Sequence, residues 1–275
     1  MQTWQKNLLA SDHGPRARAR AIRERLAWQK GLEEKRLAAV RVYARHQPGP
    51  HAGACHVIFL AWKRCDYALR TLEAFTKLNQ GCGFGLWYGT DGGCDPRVPP
   101  LAEALGFVPL LRSEDQRGIA KMVDGLVGRL ATQVDPSGLC LLLEEDWECC
   151  RPVPMETCRK LLAPADMGWV RLVGRARQRR EDGFADPFPI GPWPNERWER
   201  RILDGEPLLV GPSRWAHLPH IIKLQALLRL TKGSRNERTS ITRSAASGLR
   251  CAWLLNNVFW HIGAVRSVRS LGGRE

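Results

Sequence analysis

The chain has 275 residues, 44% of them hydrophobic, which is enough to bury one large core with additions. No apolar run approaches the roughly 20 residues that cross a bilayer, and the N-terminus lacks the apolar segment of a signal peptide. The nine cysteines include no Cys-x-x-Cys pair. These features exclude an integral membrane protein and predict reduced thiols in a cytoplasmic protein, without a zinc site.

The net charge of +14 is concentrated at the two ends of the chain. Residues 1–50 carry 11 basic and 4 acidic side chains, residues 51–220 carry 21 and 22, and residues 221–275 carry 10 and 2. A neutral core with basic ends is expected for a polyanionic partner, such as nucleic acid or an anionic membrane surface. An Arg-rich composition that serves only solubility would give the same totals.

The first 50 residues are predicted to form a basic helical N-terminal extension. Residues 15–46 are rich in Ala, Arg, Glu, Leu and Lys, with Pro15 at a helix start and Pro48-Gly49-Pro50 at a helix stop. The pattern indicates one or two helices with a basic outer face. It contains no long heptad repeat that would support a coiled coil.

Strands and helices are predicted to alternate between residues 56 and 146. Strand patterns at 56–62, 84–88, 107–111 and 139–143 are separated by helical patterns, of which the last two cover 101–105 and 115–130. This alternation predicts an α/β domain with a largely parallel mixed sheet flanked by helices. Beyond residue 151 the pattern weakens. It predicts strands at 169–173 and 208–212, a helix at 217–230, and a basic, mobile stretch at 231–249.

An acidic cluster, Glu144-Glu145-Asp146, follows the strand that begins at Leu139. Open α/β sheets bind ligands at the carboxyl ends of their strands. Carboxylates held together there repel one another unless a cation or a hydrogen-bonding partner compensates. Mg²⁺ and Mn²⁺ prefer oxygen ligands and suit a diphosphate substrate, so the cluster is a candidate metal site. A solvated turn after a strand is the alternative interpretation.

Four features in order carry a resemblance to a known family. They are the strand and helix at 57–72, the strand ending in Tyr88-Gly89-Thr90-Asp91-Gly92, the helix beginning Arg117-Gly118-Ile119, and the acidic Leu143-Glu144-Glu145-Asp146-Trp147. Together they resemble a GT-A-type glycosyltransferase. The resemblance implies a Rossmann-like GT-A fold over residues 51–265, with a nucleotide-sugar half at 51–150 and an acceptor half at 151–265. Residues 266–275 would then form a basic tail.

The resemblance implies a divalent cation, Mn²⁺ or Mg²⁺, that bridges the donor diphosphate and offsets the charge that grows on it. Asp146 would be one metal ligand and His261 the second, although a buried core histidine is the alternative for His261. Glu144 and Glu145 would lie near the ribose or a metal-bound water. The middle glutamate departs from the commonest form of the motif, which leaves the division of roles among the three acids open.

Further donor contacts are expected at the strand ends and at the start of the helix before the acidic strand. The predicted residues are Ala61, Lys63, Asp91, Arg117 and Lys121, and the donor would be a UDP-sugar. For Arg117 and Lys121, a solvated charge on a helix surface is an equally simple interpretation.

An acceptor hydroxyl must lose its proton as it attacks the anomeric carbon, and in inverting enzymes an Asp or Glu normally takes that proton. Asp204 and Glu206 are the predicted bases because they directly precede a strand expected to line the cleft. Aromatic residues beside arginines stack on sugars or nucleobases. On that basis the predicted acceptor-binding residues are Trp193, Arg197, Trp198 and Trp215, with core packing as the alternative for the tryptophans.

The basic ends favour double-stranded DNA as the partner, since lysines and arginines would contact phosphates and a modified base could be flipped into the cleft. The chain is similar in this respect to phage-type glycosyltransferases that modify hydroxymethylpyrimidines, which would act in the cytoplasm of the host cell. The function expected is a metal-dependent hexosyl- or pentosyltransferase. A polysaccharide, lipid-linked or protein acceptor is the alternative, and a non-enzymatic nucleic-acid-binding protein is the alternative of another class.

Overall fold

The computed structural model describes residues 55–173, 197–212, 218–234 and 236–262. The predicted N-terminal extension and basic tail lie outside these ranges. The first part of the described chain contains β1 (Cys55–Ala61), α1 (Cys65–Leu78), β2 (Phe84–Thr90), α2 (Val98–Ala104), β3 (Val108–Arg112), α3 (Ile119–Leu130), β4 (Leu139–Glu144) and β5 (Trp147–Cys149). The second part contains α4 (Met155–Leu162), β6 (Met167–Arg171), β7 (Glu199–Leu203), β8 (Glu206–Pro212), β9 (His220–Lys223), α5 (Leu224–Thr231), α6 (Glu237–Ala246), β10 (Arg250–Leu254) and β11 (Phe259–His261).

Nine strands form one mixed sheet in the order β3-β2-β1-β4-β9-β6-β10-β8-β7. The β3-β2-β1-β4 block is parallel throughout, and β6 pairs with β10 in parallel. Only β8 and β9 run against the other strands of this sheet. The predicted α/β fold, with a largely parallel mixed sheet and flanking helices, is confirmed.

Helices cover both faces of the sheet, which explains why its central strands are continuous apolar runs. Every residue of β1 is buried, and alternate residues of that strand belong to opposite faces. Ile58 and Leu60 belong to the buried cluster that includes residues of α3 and α5. The intervening Phe59 instead packs edge-on against Phe107, with ring centroids 6.1 Å apart. A strand buried on both faces is fixed firmly in register, so the positions of its neighbours' ends are well defined.

This register places the carboxyl ends of three strands side by side. Leu60 of β1 is opposite Glu144 of β4, and Ala61 is opposite Thr90 of β2. A separate two-stranded sheet lies beside this edge, where β5 pairs antiparallel with β11. That pairing sets His261 opposite Trp147, immediately after the acidic cluster.

One sequence prediction in the second half was wrong. The apolar run after His217 was predicted to be helical, but His220–Lys223 forms β9 inside the sheet and the helix begins only at Leu224. A short apolar run looks alike in a buried strand and in a buried helix, which accounts for the error. The basic stretch at 231–249 was predicted to be mobile without a partner. It contains α6, whose N-cap Asn236 accepts a hydrogen bond from the backbone N–H of Thr239 at 3.0 Å.

The helix predicted at 115–130 begins at Ile119 instead, because Gly118 has a left-handed backbone conformation with φ +77°. Among the described helices, none combines the length and the apolar character needed to cross a bilayer. All nine cysteines are free thiols.

Gly92, in the loop after β2, packs closely against the backbone of the loop before α3, and a substitution there tests this contact. A Cβ at Gly92 would lie 2.3 Å from the carbonyl carbon of Asp115 and 2.4 Å from the nitrogen of Gln116, and these backbone atoms cannot rotate away. We expect Gly92→Ala to lower the free energy of unfolding by about 1–3 kcal/mol, measured by urea denaturation. The control is Gly128→Ala in α3. A Cβ at that position meets nothing within 4 Å and should raise stability by up to about 1 kcal/mol. Equal stability of the two variants would contradict the packing described.

Candidate functional site

A cavity of about 400 Å³ lies at the carboxyl ends of β1, β2 and β4, where the register brings the strand ends together. Its walls come from these strand ends and from the first residues of α3. The ten lining residues are Leu60, Trp62, Arg64, Asp91, Gln116, Gly118, Ile119, Glu144, Glu145 and Asp146. All three members of the acidic cluster therefore share one cavity.

Arg64 holds two members of the acidic cluster. Its Nε donates to Oε1 of Glu145 at 2.8 Å, and its Nη2 donates to Oδ2 of Asp146 at 2.9 Å. Glu145 is only 2% exposed and also accepts the backbone N–H of Trp62 at 2.7 Å. The hydroxyl of Thr71 in α1 donates to the Glu145 carbonyl at 2.7 Å. The carboxylate of Glu145 is thus bonded to the residues that follow β1, and its backbone carbonyl is bonded to α1. Its role is to stabilise the fold at this edge of the sheet.

Asp146 and His261, the predicted metal ligands, lie together. Nε2 of His261 is 3.3 Å from Oδ2 of Asp146, and the backbone N–H of Ile262 donates to the Asp146 carbonyl at 2.8 Å. The His261 ring also packs on Trp147, with centroids 4.7 Å apart. These contacts follow directly from the pairing of β5 with β11.

The pKa values of the three acids in the cluster are shifted in different directions. Burial raises the pKa of Glu144 well above its usual value, and the nearby charges of Asp146 and Glu237 raise it further. Burial also raises the pKa of Glu145, although Arg64 opposes the shift. For Asp146, burial favours the neutral form, but the hydrogen bond and charge of His261 and the charge of Arg64 outweigh it and lower the pKa. Negative charge is therefore most firmly held at Asp146.

The acidic cluster has donor atoms that fit a hard divalent cation. Oε1 of Glu144 and Oδ1 of Asp146 are enclosed and have no hydrogen-bond partner in the described structure. Carboxylate oxygens and a neutral imidazole are ligands that Mn²⁺ accepts. Within the described ranges, no group of three or more His, Cys, Asp or Glu side chains is arranged to hold a metal alone. A cation here would therefore take its remaining ligands from a diphosphate or from water, as Mg²⁺ commonly does.

Asp91, a predicted donor contact, organises the opposite wall of the cavity. Its carboxylate accepts the backbone N–H groups of Gly92 at 3.0 Å, Arg117 at 2.7 Å and Gly118 at 2.9 Å. It thereby fixes the loop that leads into α3.

The other predicted donor contacts are placed differently. Ala61 is buried, and its carbonyl accepts from the Asp91 backbone N–H at 3.2 Å. The side chains of Arg117 and Lys121 are exposed. Lys63 lies with its Nζ 5.0 Å from the centroid of the Trp62 ring. These four residues surround the cavity without lining it.

The predicted bases are held in ion pairs outside the lining of the cavity. Asp204 lies in the turn between β7 and β8, where it accepts from Lys160 Nζ at 2.8 Å and from the Thr157 hydroxyl at 3.0 Å. Glu206 accepts two hydrogen bonds from the guanidinium of Arg151, at 2.5 and 3.0 Å. Both carboxylates thus join β8 and its preceding turn to the region around α4.

The predicted acceptor residues are only partly described. Trp198 packs edge-on against Trp253, with centroids 5.9 Å apart, and contributes to the hydrophobic core. Arg197 is exposed. Trp193 and Trp215 lie outside the described residues.

The charged residues that sequence reasoning missed are Arg64, which lines the cavity, and Glu237. Arg64 follows the predicted donor residue Lys63 in the turn between β1 and α1, and the approach of this turn to the acids was a usable signal for it. Glu237 begins α6, is partly exposed, and contributes to the raised pKa of Glu144. The N-cap pattern of Asn236 followed three residues later by Thr239 could have revealed the start of that helix.

No protein-family model matches the sequence, and no curated protein matches it. Among solved structures, the fold is similar to that of the mannosyltransferase PcManGT from Pyrobaculum calidifontis in complex with GDP-Man and Mn²⁺. The TM-score is 0.53, and the likeness covers 90% of this chain and 70% of that one at 14% sequence identity. The similarity establishes a shared fold.

The raised pKa of Glu144 predicts a pH dependence of stability. A folded-state pKa above the usual 4.5 means that the folded chain keeps a proton that the unfolded chain loses. Stability should therefore fall as pH rises from about 4.5 through the folded-state pKa. Glu144→Gln should flatten this fall and stabilise the metal-free protein by about 1 kcal/mol at neutral pH, measured by denaturation across pH. Glu156→Gln at a 71% exposed side chain is the control. Parallel profiles for wild type and Glu144→Gln would refute the prediction.

Proposed function

We propose that the protein is a metal-dependent glycosyltransferase that moves a sugar from a nucleoside-diphosphate-sugar to a hydroxyl acceptor. The observation that carries this proposal is the approach of His261 to Asp146, at 3.3 Å, beside a cavity that also holds Glu144 and Glu145. The pair lies at the carboxyl edge of the sheet, in a fold shared with a mannosyltransferase that was solved with GDP-Man and Mn²⁺.

In this proposal Asp146 and His261 hold the cation, and Glu144 is the third candidate ligand. The cation, when bound, offsets the charge of the diphosphate leaving group. Glu145 keeps the cluster in place through Arg64 and Trp62. The loop fixed by Asp91 closes the other side of the donor site.

The donor nucleoside is proposed more broadly than a UDP-sugar. The structural neighbour was solved with GDP-Man, which makes GDP-sugars candidates beside UDP-sugars. The residues that would contact the nucleobase of the donor lie at the strand ends and around the start of α3, among them Trp62, Gln116 and Ile119.

We propose Glu237 as the base that takes the proton from the acceptor hydroxyl. Its charge contributes to the raised pKa of Glu144, and its side chain, which like those of Asp204 and Glu206 is not among the lining residues, is partly exposed at the start of α6. As the base accepts the proton, the acceptor oxygen bonds to the anomeric carbon and the bond to the diphosphate breaks, with inversion. Asp204 and Glu206 remain the bases predicted from sequence, although Lys160 and Arg151 now engage them.

A hydroxymethylpyrimidine in double-stranded DNA remains the proposed acceptor, and its support is the charge of the chain ends. Two arginines of the C-terminal basic part serve the fold instead. Arg243 donates to the backbone carbonyl of Leu230 at 3.3 Å, and Arg250 pairs with Asp166 at 3.5 Å. Polysaccharide, lipid-linked and protein acceptors therefore belong in the same test.

The first prediction for this function concerns donor turnover. Incubation with a panel of GDP- and UDP-sugars and Mn²⁺ should release nucleoside diphosphate from one donor, and EDTA should stop the release. Asp146→Asn should lower kcat/KM by about 10³-fold. The matched control is Glu148→Gln, two residues later on β5, where the acid pairs with Arg70 outside the cavity lining.

Acceptors are then compared by mass shift, with hydroxymethylated duplex DNA, unmodified duplex, glycan, and lipid-linked sugar in parallel. Turnover with hydroxymethylated duplex, and with none of the other acceptors, supports the proposed DNA acceptor. Turnover with glycan or lipid-linked sugar would replace DNA by that acceptor in the proposal. Absence of metal-dependent turnover with every donor and acceptor would leave the non-enzymatic nucleic-acid-binding alternative.

The second prediction concerns the base. Glu237→Gln should lower kcat by about 10²–10⁴-fold while donor affinity stays within about twofold, because only proton removal is lost. Asp204→Asn and Glu206→Gln are measured in parallel. Loss of kcat in one of these two variants, with Glu237→Gln active, would return the role to the residue predicted from sequence.

A further inference from the structure

Arg64 has a position that the proposed function does not yet explain. Among the ten described residues that line the cavity it is the one basic side chain, and it faces four acids. Its guanidinium bridges Glu145 and Asp146 with bonds of 2.8 and 2.9 Å, and its side chain is only 23% exposed. The bond to Asp146 places this charge on the carboxylate that is also the best candidate metal ligand.

Arg64 and a divalent cation would compete for the carboxylate of Asp146. Its Oδ2 is engaged by Arg64 and lies 3.3 Å from His261, while its enclosed Oδ1 has no hydrogen-bond partner in the described structure. A divalent cation on this carboxylate would lie close to the guanidinium. Two positive charges this close together repel strongly in a partly buried site. Arg64 therefore opposes binding of a divalent cation when no diphosphate is bound.

The attachment of Arg64 is divided between two carboxylates. Nε is bound to Glu145, a residue fixed by the backbone N–H of Trp62 and the hydroxyl of Thr71. The guanidinium carbon also lies 4.9 Å from the centroid of the Tyr67 ring. These contacts anchor the side chain without Asp146. Because the guanidinium is rigid, Nη2 loses this partner when the Asp146 carboxylate turns away from it, while Nε keeps its bond to Glu145.

We propose that Arg64 is an internal counter-ion that occupies Asp146 in the metal-free protein, and that its Nη2 becomes available to the donor diphosphate when a divalent cation takes its place at that carboxylate. The inference rests on the proposed function, because it takes the ligand of the cavity to be a diphosphate. A guanidinium suits that ligand, since its planar donors match phosphate oxygens in pairs. One side chain thus serves two anions in turn.

This arrangement couples the cation to the diphosphate. A diphosphate attracts Arg64 away from Asp146 and supplies further oxygen ligands, so each ligand makes binding of the other more favourable. The metal site is then weak in the free protein and strong in the presence of donor. Removing Arg64 should have opposite effects on the two ligands, which a purely structural ion pair would not produce.

The test measures binding to the full chain, independently of turnover. Mn²⁺ affinity is determined by electron paramagnetic resonance without nucleotide, and affinity for GDP and UDP is determined by calorimetry with and without Mn²⁺. Arg64→Met removes the charge and keeps the length of the side chain. Arg64→Lys keeps the charge but cannot bridge two carboxylates. Arg70→Met is the matched control, since Arg70 lies in α1, which Arg64 directly precedes, and pairs with an acid, Glu148, outside the cavity lining.

Arg64→Met should bind Mn²⁺ alone about tenfold more tightly than wild type, and metal-free nucleoside diphosphate about tenfold more weakly. Arg64→Lys should tighten Mn²⁺ binding by about threefold, and Arg70→Met should change neither affinity by more than about twofold. Circular dichroism verifies folding of each variant, and Arg64→Lys decides the matter if Arg64→Met does not fold.

Unchanged or weaker Mn²⁺ binding in the folded Arg64 variants overturns the counter-ion role. If wild type still binds nucleoside diphosphate with Mn²⁺ in that case, the proposed function stands and only this inference fails. If wild type binds neither GDP nor UDP in the presence of Mn²⁺, the proposed function fails, and the inference fails with it.

Discussion

The burial of Glu145 and Asp146 at the end of β4, together with the enclosure of Oε1 of the partly exposed Glu144, is the constraint on which the cavity depends. Ionised carboxylates taken out of water are costly unless something compensates them, and each of these is compensated differently. Glu145 is compensated by Arg64 and by a backbone N–H, and Asp146 by Arg64 and His261, whereas the cost of burying charge raises the pKa of Glu144. The three neighbouring acids therefore differ in how firmly each holds a negative charge.

The compensation at Asp146 depends on strand pairing over a long chain separation. His261 reaches the acid because β11 pairs with β5, and Ile262 extends the pairing by a hydrogen bond to the Asp146 carbonyl. The same short sheet stacks the His261 ring on Trp147. Two backbone segments that are far apart in sequence thus fix one pair of side chains, which gives the pair a geometry that a surface loop would not maintain.

The features that could be predicted from sequence were those with a local signal. The central strands are apolar runs that end in polar residues, so β1, β2 and β4, and the acids that follow β4, could be placed in advance. Asp146 and His261 were paired through family resemblance, and the structure brings them together. Arg64 escaped prediction because an ion pair across two strand ends depends on register, which is a tertiary property.

The acceptor residues had no signal that separates binding from packing. Trp198 was ambiguous, since an aromatic residue beside arginines can bind a ligand or, as here, pack against the core. For Asp204 and Glu206, the partners Lys160 and Arg151 lie about fifty residues earlier in the chain, and no local pattern in the sequence indicates them.

Electrostatic balance in the cavity supports a cation requirement independently of any resemblance. The lining carries four acids and one arginine, so acidic side chains outnumber the basic one. Asp91 is stabilised by three backbone N–H groups, which hold the carboxylate but add no net positive charge. An anionic diphosphate entering this surface alone would meet net negative charge in a site of low effective dielectric. A divalent cation reverses that balance, and release of Arg64 from Asp146 makes its charge available to the same ligand. The acids that repel an anionic diphosphate are thus what would make its binding conditional on the metal.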